Sequence, residues 1–114
     1  MTNLDRLKME IDGINLDDNK LTVYLEENDL DPDVEYVPTS KTNKKNILRT
    51  ALSILESIAN NPNLMKAYKT NDITVTQFSE NLNNRIDALD RKIRLIPDDN
   101  GYGDGASFEY MFKY

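Results

Sequence analysis

Residues 47–59 read Ile-Leu-Arg-Thr-Ala-Leu-Ser-Ile-Leu-Glu-Ser-Ile-Ala and carry the most regular apolar pattern of the chain. Their apolar side chains recur at intervals of three and four, the period of one face of an α-helix. Ser40 or Thr42 is placed to cap the start of this helix. Asn60, Asn61 and Pro62 end it, because proline removes a backbone donor. We therefore predict a long amphipathic helix that ends at Ala59.

A second long apolar stripe lies further along the chain, with spacings of four, four, three, four and three. Thr74 and Gln77 fit a capping box at its start, and Pro97 ends it. Residues 72–76, which include four β-branched side chains, are predicted to be extended before this helix. The stripe consists of Phe78, Leu82, Ile86, Leu89, Ile93 and Ile96.

Shorter periodic segments lie before the first of these two helices and between the two. Residues 4–11 follow helical spacing after an Asn3 cap and stop at Gly13. A further helix begins near Leu16 after an Asn15 cap and runs to about residue 28, and Pro62 opens a short helical turn. About four amphipathic helices can bury their stripes only against each other. The sequence therefore predicts a mainly α protein, a small helical bundle.

Composition excludes several classes of function. The chain has 114 residues, the size of one domain, and contains no cysteine, histidine or tryptophan. The chain therefore cannot form disulfides or the usual zinc sites, and it cannot use a thiol or an imidazole in catalysis. The carboxylate pairs Asp17–Asp18 and Glu26–Glu27 are adjacent in sequence and do not face each other on a helix. We expect no enzymatic activity, no metal and no cofactor, and, without a signal peptide or a long apolar run, no membrane association.

Charge is divided unevenly along the chain. Residues 1–40 carry 11 acidic and 3 basic side chains, residues 41–96 carry 5 and 10, and residues 97–114 carry 4 and 1. An acidic first part and a basic second part can attract each other within one molecule or between neighbouring copies in a ring. Three interpretations remain open for the basic cluster, which consists of Lys41, Lys44, Lys45 and Arg49. Its side chains are solvated by water, form salt bridges with the acidic part, or contact DNA that passes through an assembly.

The last residues depart from the helical pattern. Residues 97–105 contain three of the four glycines and form a spacer, after which aromatic side chains alternate with others in the period of a β-strand. We divide the chain into a helical domain, 1–96, and a spacer with a C-terminal strand arm, 97–114. This arm can extend a partner's sheet, fold back onto the bundle or stay disordered, and the first is favoured. Its candidate partner-binding residues are Phe108, Tyr110, Met111, Phe112 and Tyr114.

A family resemblance follows from three consecutive features. The run 51–59 is followed by a proline break, by residues 64–75 (Leu-Met-Lys-Ala-Tyr-Lys-Thr-Asn-Asp-Ile-Thr-Val) and by a long helix to Ile96. This order resembles the head-to-tail connector proteins, also called adaptor or head completion proteins, of tailed bacteriophages. It covers roughly residues 45–96, and Asn71 stands where the family usually has glycine.

The resemblance implies a structural protein of the virion neck that is put together in the bacterial cytoplasm. It implies a ring, expected to be dodecameric, which binds the portal protein on one side and the next neck protein or stopper on the other. The arm would grip the portal, and DNA passing through the channel would make at most non-specific contact with the basic cluster. The long loop, residues 29–42, would supply contacts to a neighbouring subunit or to the next neck ring through Asp33, Glu35, Tyr36 and Val37.

A different class of function fits the acidic first part. A small acidic binding module can inhibit a host protein by imitating DNA towards a basic partner. Such a module would act as a monomer or dimer and its binding would weaken steeply with salt, whereas an adaptor would form larger assemblies.

Overall fold

A computed structural model describes residues 1–68 and 74–97, and in that part the chain is mainly helical, as predicted. One antiparallel β-bridge, between Thr2 and Glu35, is the only strand-like pairing among the described residues. The described residues form five helices, one more than the four predicted, because the short turn after Pro62 is a helix of its own. They are α1 (Asn3–Glu10), α2 (Asp18–Glu27), α3 (Lys41–Ala59), α4 (Pro62–Tyr68) and α5 (Val75–Leu95).

Helix α3 is the centre of the bundle. Its first turn is fixed by Ser40, whose hydroxyl accepts a hydrogen bond from the Asn43 amide at 3.1 Å, so the long loop ends at residue 40 and not at the predicted 42. The predicted apolar stripe is confirmed, since one face of the helix is buried from Ile47 to Ile58. Helix α3 contacts all four other helices, while α1 packs on α2 and α4 packs on α5. The buried face consists of Ile47, Leu48, Thr50, Ala51, Ile54, Leu55 and Ile58.

Helix α1 begins with a capping box at Thr2, one residue before the predicted Asn3 cap. The Thr2 hydroxyl accepts from the Asp5 amide and the Asp5 carboxylate accepts from the Thr2 amide, each at 3.2 Å. Asn3, the predicted cap, is buried in the first turn. Its side chain is therefore available for contacts outside the helix. Gly13 follows the end of α1 with a φ of +90°, in the left-handed region that favours glycine.

Helix α2 starts later than predicted. The Asp17 carboxylate accepts from the Lys20 amide at 2.9 Å and caps the helix, whereas Asn15 lies outside it. An aspartate at this position satisfies an amide that has no partner within the helix and also interacts favourably with the helix dipole. The end of α2 at Glu27, with Asn28 as its C-cap, agrees with the prediction.

Helix α5 confirms the predicted capping box and corrects the segment before it. The Gln77 amide donates to the Thr74 hydroxyl at 3.0 Å, and the Thr74 amide donates to the Gln77 side chain at 2.9 Å. Val75 and Thr76 are consequently the first helical residues, so the prediction of an extended stretch is wrong there. The preference of β-branched residues for extended backbone is weak, and the capping box at Thr74 outweighs it. Residues 72 and 73 lie outside the described part.

The buried apolar residues form one cluster. Helix α5 contributes three buried side chains, and its remaining stripe residues are half-buried against the same cluster. Arg85 also joins α5 to α1, because its guanidinium donates to the main-chain carbonyls of Glu10 at 2.9 Å and Asp12 at 3.3 Å. These carbonyls lie at the negative end of the α1 dipole, so a cation there is favourable. One contact between the acidic and the basic part of the chain is thus intramolecular.

Candidate interaction surfaces

The loop between α2 and α3 is paired with the N-terminus. The Asn3 amide donates to the Val34 carbonyl and the Tyr36 amide donates to the Met1 carbonyl, both at 2.9 Å. These two bonds flank the bridge between Thr2 and Glu35. The segment 34–36 is therefore held by the chain itself.

Two asparagine side chains hold the same loop from inside. The Asn3 side-chain amide donates to the Asp31 carbonyl at 2.9 Å, and Asn43 donates to the Asn3 side-chain oxygen at 2.9 Å. The Asn43 oxygen in turn accepts from the Val37 amide at 2.8 Å. This network joins α1, the loop and α3, and it satisfies the polar atoms of the buried Asn3.

The four loop residues predicted to make contacts have different surroundings. The N-terminal ammonium of Met1 lies 2.8 Å from the Glu35 carboxylate, and this hydrogen bond and charge raise the pKa of the ammonium above its usual 8.0. Tyr36 is half-buried, with the Arg6 guanidinium 5.4 Å from the centre of its ring. Asp33 and Val37 are exposed. The Glu35 side chain is exposed as well, at 73%, so Tyr36 is the one of the four that the fold substantially covers.

The predicted basic cluster occupies the first half of α3. Lys41, Lys45 and Arg49 are spaced by four residues and therefore share one face of the helix. Lys44 follows Lys41 by three residues and therefore lies at the edge of the same face, and it also lines a groove between α1, α3 and α5. The four basic residues thus remain on one broad side of the helix.

A first groove lies between the start of the loop and α3, with a volume of about 290 Å³. Its only charged lining residues are Asp29 and Asp31, and the apolar side chains Leu30 and Val34 form part of its wall. Val34 is 52% exposed. We call this the acidic groove. Its other lining residues are Asn3, Ser40, Thr42, Asn43 and Asn46.

A second groove lies between α1, α3 and the end of α5, with a volume of about 430 Å³. Three cations and one acid line it, and within it Arg6 pairs with Glu10 at 3.1 Å, which leaves Lys44 and Lys92 as the excess charge. Leu95 is 82% exposed and projects beside it. We call this the basic groove. Its lining residues are Arg6, Glu10, Lys44, Leu48, Lys92, Leu95 and Ile96.

Leu95 is a functional candidate that the sequence analysis missed. The last two residues of the predicted α5 stripe are Ile93 and Ile96, which leaves Leu95 on the polar face of the helix. A large aliphatic side chain outside the stripe was the available signal.

The two grooves open on opposite sides of α3. Thr42 and Asn46 line the acidic groove, whereas Lys44 and Leu48 line the basic one. Because an α-helix turns about 100° per residue, an offset of two residues places the two pairs about 200° apart.

A third groove, of about 550 Å³, lies between α2, α3 and α4. Lys20 and Glu27 line it with opposite charges, and the Tyr24 hydroxyl donates to the Ser57 hydroxyl across it at 3.1 Å. Its balanced charge favours no class of partner.

Three further observations bear on function. Among residues 1–68 and 74–97, no group of three or more acidic, histidine or cysteine side chains could hold a metal ion. No helix in that part is long and apolar enough to cross a bilayer. The predicted portal-binding residues Phe108, Tyr110, Met111, Phe112 and Tyr114 lie outside the described residues.

The comparisons with known proteins found no relative of this chain. No family model, no curated protein and no solved structure matches the chain.

Proposed function

We propose that the protein is a structural, non-enzymatic head-to-tail adaptor of a tailed phage or of a phage-derived particle. In this proposal copies of the helical domain form a ring below the portal in the virion neck and extend the DNA channel. The C-terminal arm binds the portal protein, and the opposite side of the ring receives the next neck protein or stopper.

The observation that carries the proposal is the contrast between the helical domain and the arm. The apolar stripes of the described helices are used in a single core. Phe108, Tyr110, Phe112 and Tyr114 alternate as in a strand. The described part of the chain holds only one isolated bridge, at Thr2 and Glu35, and so offers no sheet to such a strand. A partner's sheet would satisfy both its backbone and its aromatic face.

The distribution of charge supports a role around DNA without sequence recognition. Lys41, Lys45 and Arg49 share one face of α3. In a ring with this face towards the channel, the cations would interact with phosphates of any sequence. The net charge of the chain is −6, which disfavours strong DNA affinity outside the assembly.

One observation favours the acidic inhibitor as the second candidate. Asp29, Asp31 and Asp33 follow each other at every second residue of the loop, and all three are exposed. Such a row of carboxylates can occupy the phosphate-binding surface of a basic protein. Binding to a basic host protein that falls steeply with salt, with no affinity for portal, would favour this function.

The arm is tested with two double variants of the full chain and the portal protein encoded in the same genome. Phe108→Ala with Phe112→Ala removes half of the aromatic face, and Glu109→Ala with Lys113→Ala changes the other face at the same spacing. Light scattering of each variant mixed with portal measures complex formation. The first pair is expected to abolish the complex and the second to preserve it. Equal binding by both would refute the role of the aromatic face.

A further inference from the structure

Two exposed apolar side chains lie beside grooves of opposite charge. Leu95 projects beside the basic groove, where Lys44 and Lys92 are the excess charge. Val34 lies in the acidic groove beside Asp31. Leu95 is 82% exposed at the end of α5, so its burial against another apolar side chain would be favourable.

We propose that the end of α5 of one copy docks in the acidic groove of the next copy. Leu95 then packs on Val34, and Lys92 lies at the rim beside Asp31. The contact specifies the subunit interface of the proposed ring. The role of this contact in a ring rests on the proposed adaptor function. The contact itself does not, because both surfaces are present on the chain without portal.

Charge complementarity identifies the occupant as a second copy. The acidic groove contains two aspartates and no cation, and the basic groove contains three cations and one acid. Opposite charges at the rim steer the two surfaces together and fix their register, while the aliphatic pair supplies the buried centre. The lysine stems can lie along the apolar surface with their ammonium groups in solvent.

The geometry makes this contact head-to-tail. The two grooves lie about 200° apart around α3, so a copy that uses both meets two different neighbours. Contacts of this kind generate a ring if the rotation closes and an open filament if it does not. A symmetric dimer, in which two acidic grooves or two basic grooves face each other, would instead bring like charges together.

The test is a charge exchange in the full chain. Val34→Lys places a cation opposite Lys92, and Leu95→Glu places an acid opposite Asp31, so each variant is expected to lose self-association. The double variant Val34→Lys with Leu95→Glu pairs the new charges with each other and is expected to regain it. Sedimentation at millimolar protein and low salt measures the mass of each.

Matched controls separate the contact from general surface effects. Val23 is 53% exposed on α2 and lies outside both grooves, so Val23→Lys matches Val34→Lys in residue type and exposure. Met9, exposed on α1, provides Met9→Glu as the match for Leu95→Glu. Both controls are expected to associate as the unaltered chain does, into species larger than a dimer.

Several results would overturn the proposal. These are a monomeric unaltered chain under the stated conditions, a species no larger than a dimer, single variants that still associate, or a double variant that does not recover. Association that persists in both single variants but vanishes when residues 106–114 are deleted would assign it to the arm instead. None of these results depends on portal binding, so failure of the interface and failure of the adaptor function are distinguishable.

Discussion

Replacing Asn3 with alanine tests whether the asparagine network holds the long loop on the bundle. Asn3 is 3% exposed and makes two side-chain hydrogen bonds, one to the Asp31 carbonyl and one from Asn43. Each bond contributes about 1 kcal/mol net, and a buried polar group left without a partner costs about 1–3 kcal/mol. The acidic groove reaches both partners, so water can solvate them in part. We therefore expect a loss of about 2 kcal/mol, a large share of the stability of a small domain.

Urea unfolding followed by far-UV circular dichroism measures this loss. With a slope of about 1–3 kcal/mol per M, the midpoint should fall by about 1 M at unchanged slope. Asn15→Ala is the matched control, because Asn15 is exposed and caps no helix. Its effect should stay within about 0.5 kcal/mol.

Asn43→Ala extends the same test. Asn43 shares one hydrogen bond with Asn3, so the double variant should cost less than the sum of the two single variants. An Asn3→Ala midpoint equal to that of Asn15→Ala would show that the network does not hold the loop. If the losses of Asn3→Ala and Asn43→Ala simply add in the double variant, the hydrogen bond between the two side chains contributes nothing to stability.

Three further predictions concern the core, a cap and the N-terminal ion pair. Leu55→Ala, at a fully buried position, should lower the unfolding free energy by about 2–5 kcal/mol in the same urea assay. Asp17→Ala should cost about 1 kcal/mol by removing the α2 cap, and a neutral result would contradict that assignment. The pKa of the Met1 ammonium is raised by Glu35, so the pair stabilises the fold below pH 8.0 and is lost as pH rises through the raised pKa. The difference in thermal midpoint between the unaltered chain and Glu35→Gln should therefore shrink above pH 8.0, and a constant difference would argue against the pair.

Elements set by local periodicity were predictable from the sequence. The stripes of α3 and α5 and the Thr74–Gln77 capping box are short-range patterns, and the structure confirms them. The caps of α1 and α2 were misplaced because neighbouring polar residues, such as Asn3 beside Thr2, are equally good caps by composition. Tertiary contacts decide between them, since Asn3 is needed for a bond to a loop 28 residues away.

The surfaces were less predictable than the helices. The pairing of residues 1–3 with 34–36 joins distant segments, and neither segment has the length or alternation of a strand. That Lys44 lines the basic groove follows from the packing of α1 and α5 around α3, which the sequence does not show. Leu95 was visible in the sequence only as a leucine outside the stripe, and its exposure depends on where α5 ends.

The mass of the complex between the full chain and the portal protein tests the adaptor function most directly. Light scattering on the mixture should give one copy of the chain for each portal subunit, and the chain without residues 106–114 should stay folded by circular dichroism but bind no portal. A full chain that stays separate from portal would contradict the adaptor function. A truncated chain that binds portal as well as the full chain would contradict the role of the arm.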